Sequence, residues 1–397
     1  MKKFTLDPLG QFTAANVREN KPCSFLITAH LKERIDPSIL QQAVNDVLGC
    51  RLPFLSTRMR PGFFWYSQEF IPPPKIVPAS VPHRFEYYYG QGRGHTLRVL
   101  YGERHFTVEN IHSNVDGRGL MKVTQTLLVR YFELLGVALN KTGMIDCDAE
   151  THPEEAESGY ARFYNPKKKL PKSLAGRPPA FIMEPKPGAA TQVVSQNFDL
   201  SKMKQVAKEH GCTISEYMMT HMFLALAEQR SKTDNKLPIA AMLPVDCRSF
   251  FPTRSLRNFV YSQTITMPET DDFSQMLAGL RPQFAAINTE FIQSAVNEMQ
   301  GLVNKTGWVP FAFKKALLRY MENRESRGIT TVFSNLGKMQ LPPEIEQQLE
   351  CLEFVIDLEA TSSCFSCVTA GEVLTLTVSV ASDEAQQLAR DTIQRLT

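Results

Sequence analysis

The sequence predicts a mixed α/β protein in two similar halves, each a mixed, largely antiparallel sheet covered by helices. Three observations predict it. Strand-like and helix-like segments alternate irregularly along 397 residues, two strand pairs are joined by tight turns, and the order of elements in the first half recurs in the second. Direct hairpins argue against a doubly wound parallel sheet, whose strands need long crossovers.

In the first half, the strand-like run from Phe25 to Leu31 leads to Asp36-Pro37-Ser38. Ile39, Leu40, Ala43, Val44, Val47 and Leu48 follow at helical spacing, closed by Gly49-Cys50. Asp36 can cap the first free amides, Pro37 is pre-set for the first helical position, and Gly49 can take the left-handed conformation that ends a helix. The second half repeats this order with Val193 to Phe198, Asp199-Leu200-Ser201, a helix through Met203, Val206 and Ala207, and Gly211-Cys212. The ends of the halves also match. Leu97 to Leu100, a turn at Gly102-Glu103, and His105 to Ile111 read as a hairpin, followed by a helix with Leu120, Val123, Leu127, Tyr131 and Leu134 on one face. Cys364 to Thr369, a turn at Gly371-Glu372, and Leu374 to Val380 form the second hairpin, before a closing helix from about Asp383 to Leu396.

Residues 146–188, rich in charge and proline, read as a crossover linker between an N-terminal unit, 1–145, and a C-terminal unit, 189–397. The second unit carries extra elements. A capping box, Thr213-Ile-Ser-Glu216, opens a helix with Tyr217, Met218 and Met222 inward. Strands follow at Ile239 to Pro244 and Phe259 to Met267, then helices at about Phe273 to Val303 and Phe311 to Asn323, then strands at Ile329 to Phe333 and Leu352 to Leu358.

With 44 Lys+Arg against 41 Asp+Glu and no basic run beyond Lys167 to Lys169, nucleic acid or an anionic membrane is not expected as the main partner. No secretory signal is expected, because no apolar stretch stands behind Lys2 and Lys3, and no run is long enough to span a bilayer. The expected location is cytoplasmic. Cys364-Phe-Ser-Cys367 lies in a Thr/Val-rich strand and lacks the second pair a zinc ribbon needs, so it reads as plain strand cysteines. No common nucleotide-binding, dinucleotide, zincin or hydrolase signature is present. Asn140 and Asn304 match the glycosylation pattern but, without a secretory signal, are not expected to be used.

One constellation stands out. His112-Ser-Asn-Val-Asp116-Gly117 sits where the hairpin strand ends and the helix at Leu120 begins. With period two, His112 shares a face with Phe106, Val108 and Asn110, so its imidazole projects toward a half-buried surface. Such a histidine, with a carboxylate organising its loop, suits a general base near pH 7. The same residues also suit a polar strand end and a helix N-cap with no chemistry. Of the other histidines, His221 lies on an apolar helix face, and none has ligand-spaced acidic or cysteine neighbours, so no metal site is expected.

His112-x-x-x-Asp116-Gly117 resembles the HxxxDG signature of the chloramphenicol acetyltransferase-like acyltransferases, which include alcohol acetyltransferases, condensation domains, wax ester synthases and plant acyltransferases. Leu243-Pro-Val-Asp-Cys-Arg248 followed by Arg257-Asn258-Phe259 resembles the family's strand, arginine and Asn-Phe segment. Val332-Phe-Ser334-Asn335-Leu-Gly337 resembles the SNxG stretch of the alcohol acetyltransferases, and Thr213 to Tyr217 their helix opening. The matches keep their order along the chain. Ile111 stands where condensation domains carry a second histidine, and the DFGWG motif of plant acyltransferases is absent, so the acetyltransferase-like branch is favoured.

The resemblance implies two acetyltransferase-like subdomains meeting in a V-shaped pseudo-dimer, with a channel between them. It implies an acyl-coenzyme A co-substrate, a small alcohol or amine acceptor, His112 as general base, and no bound metal or prosthetic group. Asp116, Gly117 and Arg248 would support the site, with Arg248 pairing Asp116, and Asn258, Ser334 and Asn335 are channel candidates. A carrier-protein thioester as donor, and a non-catalytic ligand-binding relative, are the alternatives. Phe63, Phe64, Trp65 and Tyr87 to Tyr89 could line an apolar channel, or simply sit in the core or on a strand face. Lys167 to Lys169 could meet coenzyme A phosphates, or form a solvated linker.

Overall fold

The structure, a computed structural model, describes residues 3–17, 23–79, 94–168, 177–184, 191–358 and 361–397. Strand β1 (Lys3–Thr5) and helix α1 (Pro8–Asn16) open the chain. Helix α1 has no apolar stripe to announce it: Gln11, Thr13, Ala14, Ala15 and Asn16 are all buried.

The first half continues with β2 (Ser24–Leu31), α2 (Pro37–Val44), β3 (Thr57–Arg60), β4 (Ser67–Phe70), β5 (Val77–Pro78), β6 (Leu97–Tyr101), β7 (His105–Ile111) and α3 (Gly117–Leu134). Asp36 caps α2 as expected, its carboxylate accepting from the Ser38 and Ile39 amides. Gly49 does not end that helix in a left-handed turn. The chain instead runs on as a π-helical turn, Asn45–Arg51, in which the wider winding keeps both Val47 and Leu48 buried.

Helix α4 (Gly159–Phe163) lies in the linker, which Arg51 ties to the first half by a two-pronged ion pair with Glu155 at 2.6 and 2.7 Å. The second half comprises β8 (Gln192–Asp199), α5 (Leu200–Glu209), α6 (Ile214–Ser231), β9 (Ala240–Asp246), β10 (Val260–Thr266), α7 (Phe273–Ala285), α8 (Thr289–Lys305), α9 (Phe311–Ser326) and β11 (Thr331–Met339). It closes with α10 (Pro343–Glu346), β12 (Leu349–Ile356), β13 (Ser363–Ala370), β14 (Val373–Val380) and α11 (Asp383–Leu396). The capping box of Thr213 and Glu216 is formed in both directions, and Gly211 and Gly371 are left-handed, with φ of 62° and 54°. The helix expected over Phe273 to Val303 is two helices, because the Asn288 side chain accepts from the Glu290 and Phe291 amides and starts a new one.

The described strands form two main sheets, ordered β12-β2-β7-β6-β5 and β10-β9-β11-β13-β14-β8, and a small one, β1-β4-β3. Each main sheet contains the same antiparallel unit, a strand paired with the second strand of a hairpin: β2-β7-β6 in one, β8-β14-β13 in the other. The fold is thus the expected mixed α/β arrangement of repeated halves. Strand β12, from the 189–397 segment, joins the first half's sheet and covers the edge of β2, with Leu349 opposite Leu31 and Ile356 opposite Phe25. Its own outer carbonyls are met by hydroxyls of the other sheet: Ser379 donates to Ile356 at 2.7 Å and Ser366 donates to Phe354. A sheet edge left open would expose such groups, so this crossing satisfies backbone polarity where the halves meet.

Cys364 and Cys367 lie buried on β13, and burial pushes the Cys367 thiol up to about 12, so both sit as strand residues. Among the described residues no helix is long and apolar enough to cross a membrane.

Candidate active site

Strand β7 ends at Ile111 and α3 begins at Gly117, so the five residues between them form a loop held from below by Asp116. The Asp116 backbone is extended, and its Oδ1 accepts from the Gly119 amide at 2.8 Å, the N-cap the sequence suggests. Its Oδ2 accepts from Arg248 Nη1 at 2.9 Å and from the Phe259 amide at 2.8 Å. The expected pairing is therefore present across 132 residues of chain.

Arg248 sits in a single turn after β9, and each of its donor groups is used. Nη1 also reaches Asp246 at 2.9 Å, Nε donates to the Ser255 carbonyl, and Nη2 donates to the Arg257 carbonyl. Burial disfavours its charge, but the Asp116 and Asp246 carboxylates outweigh that and hold its pKa above the ordinary arginine value. Asp116 and Arg248 together fix the backbone from Ser255 to Phe259, and that backbone carries Asn258. Gly119 belongs to the same construction, because a Cβ there would collide with the Leu256 carbonyl.

Asn258 is completely buried. Its Nδ2 donates to the His112 carbonyl at 3.0 Å and lies 3.2 Å from both oxygens of Asp7. Turning the amide over would set its oxygen against a carboxylate and a carbonyl, so the orientation is fixed. Oδ1 therefore faces His112 Nδ1, at 3.2 Å. An amide oxygen only accepts, so Nδ1 carries the proton and the Nε2 lone pair is left open. The half-buried imidazole meets the edge of Phe25 at 4.8 Å, and its amide donates to the carbonyl of Cys23 at 2.9 Å. Cys23 is left-handed with φ of 53°, a conformation that costs a non-glycine residue about 1–2 kcal/mol. The strain lies directly beside the histidine.

Asp7 was not anticipated as part of this site. It caps α1 through the Gly10 amide at 2.7 Å, and a buried guanidinium, Arg257 Nε, stands 3.9 Å away. Burial raises the Asp7 pKa, and Arg257 opposes the rise; burial also pushes Arg257 itself down to about 10. The Asp7-Pro8 pair was visible as a helix start of the same kind as Asp36-Pro37, but nothing local pointed to Asn258, 251 residues away.

Gly117 lets β11 approach the motif, since a Cβ there would stand 2.7 Å from a methyl carbon of Leu336. The adjacent Ser334 and Asn335 are not hydrogen-bonded to His112. Asn335 donates to Ser215 Oγ on α6 at 2.9 Å and accepts from the Gly337 amide, while the Ser334 carbonyl lies 3.8 Å from Cys367 Sγ. Phe63 and Phe64 do not line an interior channel: they are exposed at the tip of the β3–β4 hairpin. Lys167 and Lys168 are exposed, and Lys169 and Tyr87 to Tyr89 lie outside the described residues. Among the described residues no group of three His, Cys, Asp or Glu could hold a metal ion.

No model of a known protein family and no curated protein sequence matches the chain. Solved structures match it over its whole length. Polyketide synthase associated protein 5 from Mycobacterium tuberculosis superposes with a TM-score of 0.64 at 15% identity, covering 99% of this chain and 96% of that one. The first condensation domain of the CDA synthetase gives 0.63 at 10% identity, covering 100% and 95%. TRI101 of F. sporotrichioides, solved with coenzyme A and T-2, gives 0.61 at 12% identity, covering 98% and 97%. The chain therefore has the two-subdomain α/β fold of condensation domains and of acetyltransferases such as TRI101. That two-subdomain fold is the one expected from the resemblance of His112-x-x-x-Asp116-Gly117.

Proposed function

We propose that the protein is an acyltransferase that moves an acyl group from a coenzyme A thioester to the hydroxyl of a small alcohol, with His112 as general base. The observation that carries this is the His112–Asn258–Asp7 arrangement, which leaves Nε2 free to accept a proton. The hydroxyl proton passes to Nε2 as the oxygen attacks the thioester carbonyl. Collapse of the tetrahedral intermediate breaks the C–S bond, and the imidazolium returns the proton to the departing thiolate. On this reading 1–145 and 189–397 are the two acetyltransferase-like subdomains, joined by the crossover 146–188, and the enzyme works in the cytoplasm. The reaction lies in the channel between them, with Ser334 and Asn335 at its wall and Asn258 buried behind His112. Asp116, Gly117 and Arg248 hold the loop rather than touch substrate.

Thiol release is expected to require both an acyl-coenzyme A and an added nucleophile, because the base has nothing to deprotonate until an acceptor is bound. A free-thiol assay over acetyl-, butyryl-, octanoyl- and palmitoyl-coenzyme A with a panel of alcohols and amines tests this. The likeness to condensation domains favours a second reading, in which a carrier protein presents the thioester. Turnover of an acylated carrier protein but of no acyl-coenzyme A would select it. If no thioester is consumed with any acceptor, the chain is a ligand-binding relative.

Asn258 acts here as a positioning residue. Replacing it with leucine removes the acceptor that keeps the proton on Nδ1, so the imidazole divides between tautomers. Turnover is expected to fall about tenfold, the scale of one hydrogen bond of about 0.5–1.5 kcal/mol. The donor KM should stay near that of the parent, and a substitution that merely loosened the channel would raise it.

A further inference from the structure

Helix α9 has two apolar sides. Phe311 and Leu318 are buried with Ala15 of α1, while the opposite side sets Phe313, Leu317 and Tyr320 in solvent, 71%, 54% and 65% exposed. Those three positions are spaced as one helix face. Beside them stand Trp308, 76% exposed on the connection from α8, and Phe63, 72% exposed at the hairpin tip. The hairpin is pinned to α9. The Phe311 amide donates to the Phe63 carbonyl at 2.7 Å, the Lys314 ammonium lies 3.1 Å from the centre of the Trp65 ring, and Tyr66 packs edge-on against Phe311. Three segments joined by these contacts thus present large apolar side chains, whereas Val77, Leu135 and Leu237 are exposed singly.

The charges around this face are basic. Lys305, Lys315 and Arg324 pair with no carboxylate among the described residues, and Arg319 spends its Nε on the Ala15 carbonyl. Against them α9 carries two carboxylates, Glu325, which lies 3.6 Å from Arg177, and Glu322. A second copy of the chain seated here about a two-fold axis would set these cations against one another. An apolar centre with aromatic residues and a cationic rim instead complements a layer of anionic headgroups over hydrocarbon.

We propose that the β3–β4 hairpin tip, the α8–α9 connection and the outer side of α9 form a peripheral docking surface for an anionic lipid bilayer. The balanced net charge of the whole sequence concealed it, because the cations of residues 305–324 are offset by acidic residues elsewhere in the chain. The surface does not depend on the thioester chemistry, so its test is independent of the activity assay.

The full chain is mixed with vesicles of phosphatidylcholine and phosphatidylglycerol at about 7 to 3, or of phosphatidylcholine alone, and sedimented. Binding is expected to the anionic vesicles, with a blue shift of tryptophan emission, since Trp308, one of the two tryptophans of the chain, is exposed on this face. The double variant Trp308→Ser, Phe313→Ser and the double variant Lys305→Glu, Lys315→Glu are each expected to lower the bound fraction at least about tenfold. Leu237→Ser, exposed on the α6–β9 connection, should bind like the parent. Melting curves check that each variant is folded. The proposal is overturned if the parent binds neither vesicle or if the patch variants bind as well as the parent. It is also overturned if gel filtration shows a dimer that the same substitutions dissociate, which would assign the face to a second copy.

Discussion

Replacing His112 with alanine is expected to lower kcat/KM by about 10²–10⁴, the usual contribution of a positioned general base, while the protein stays folded. The fold asks little of this side chain. The imidazole is half-buried and makes an edge contact with Phe25 and one hydrogen bond to Asn258, whereas its backbone amide, which bonds Cys23, is retained in the variant. Asn258 keeps its Nδ2 bonds to Asp7 and to the residue-112 carbonyl. The melting temperature should therefore stay near that of the parent. Thiol-release kinetics and a melting curve on the same preparation check both halves of the prediction, and full activity in the variant would remove His112 from the chemistry.

Asp116→Ala is expected to do the opposite kind of damage, a loss of about 3–5 kcal/mol in stability that takes activity with it. Three losses coincide at one carboxylate. The α3 cap at Gly119 goes, worth about 1 kcal/mol. The buried Phe259 amide is left without its acceptor, at about 1–3 kcal/mol. Arg248 keeps Asp246 but loses its better-buried partner, so a guanidinium in a poorly hydrated place is only half compensated. Against a domain stability of roughly 5–15 kcal/mol this should show as low yield and a clearly lowered melting temperature. Asp116→Asn, which can still cap α3 but carries no charge, should fall between the two. An Asp116→Ala protein as stable as the parent yet inactive would give Asp116 a direct role in the reaction.

The two variants separate because the residues belong to different parts of one construction. Asp116 and Arg248 hold the 255–259 backbone, that backbone holds Asn258, and Asn258 holds the imidazole. Damage at the base of this chain of contacts spreads into the fold, whereas damage at its end does not.

Whatever depends on neighbours along the chain can be read from the order of residues. Asp36, Asp116, Asp199 and Thr213 were legible as helix starts because a cap bonds an amide two or three residues on, whatever lies elsewhere. The two hairpins and the repeated order of elements were legible for the same reason, since strand alternation and turn residues are local. So was His112 at a strand end above a capped helix. Where packing competes with local preference the sequence misled: Gly49 yields to the burial of Val47 and Leu48, and Phe63 and Phe64 stand outside although their composition suggested an interior. That β12 completes the other half's sheet emerges only from long-range packing, since an open edge accepts any strand of suitable register. The same packing decides which nitrogen of His112 is free. That depends on a buried amide whose orientation is set by Asp7, 251 residues away, and a hydrogen bond across such a distance leaves no pattern in the order of residues.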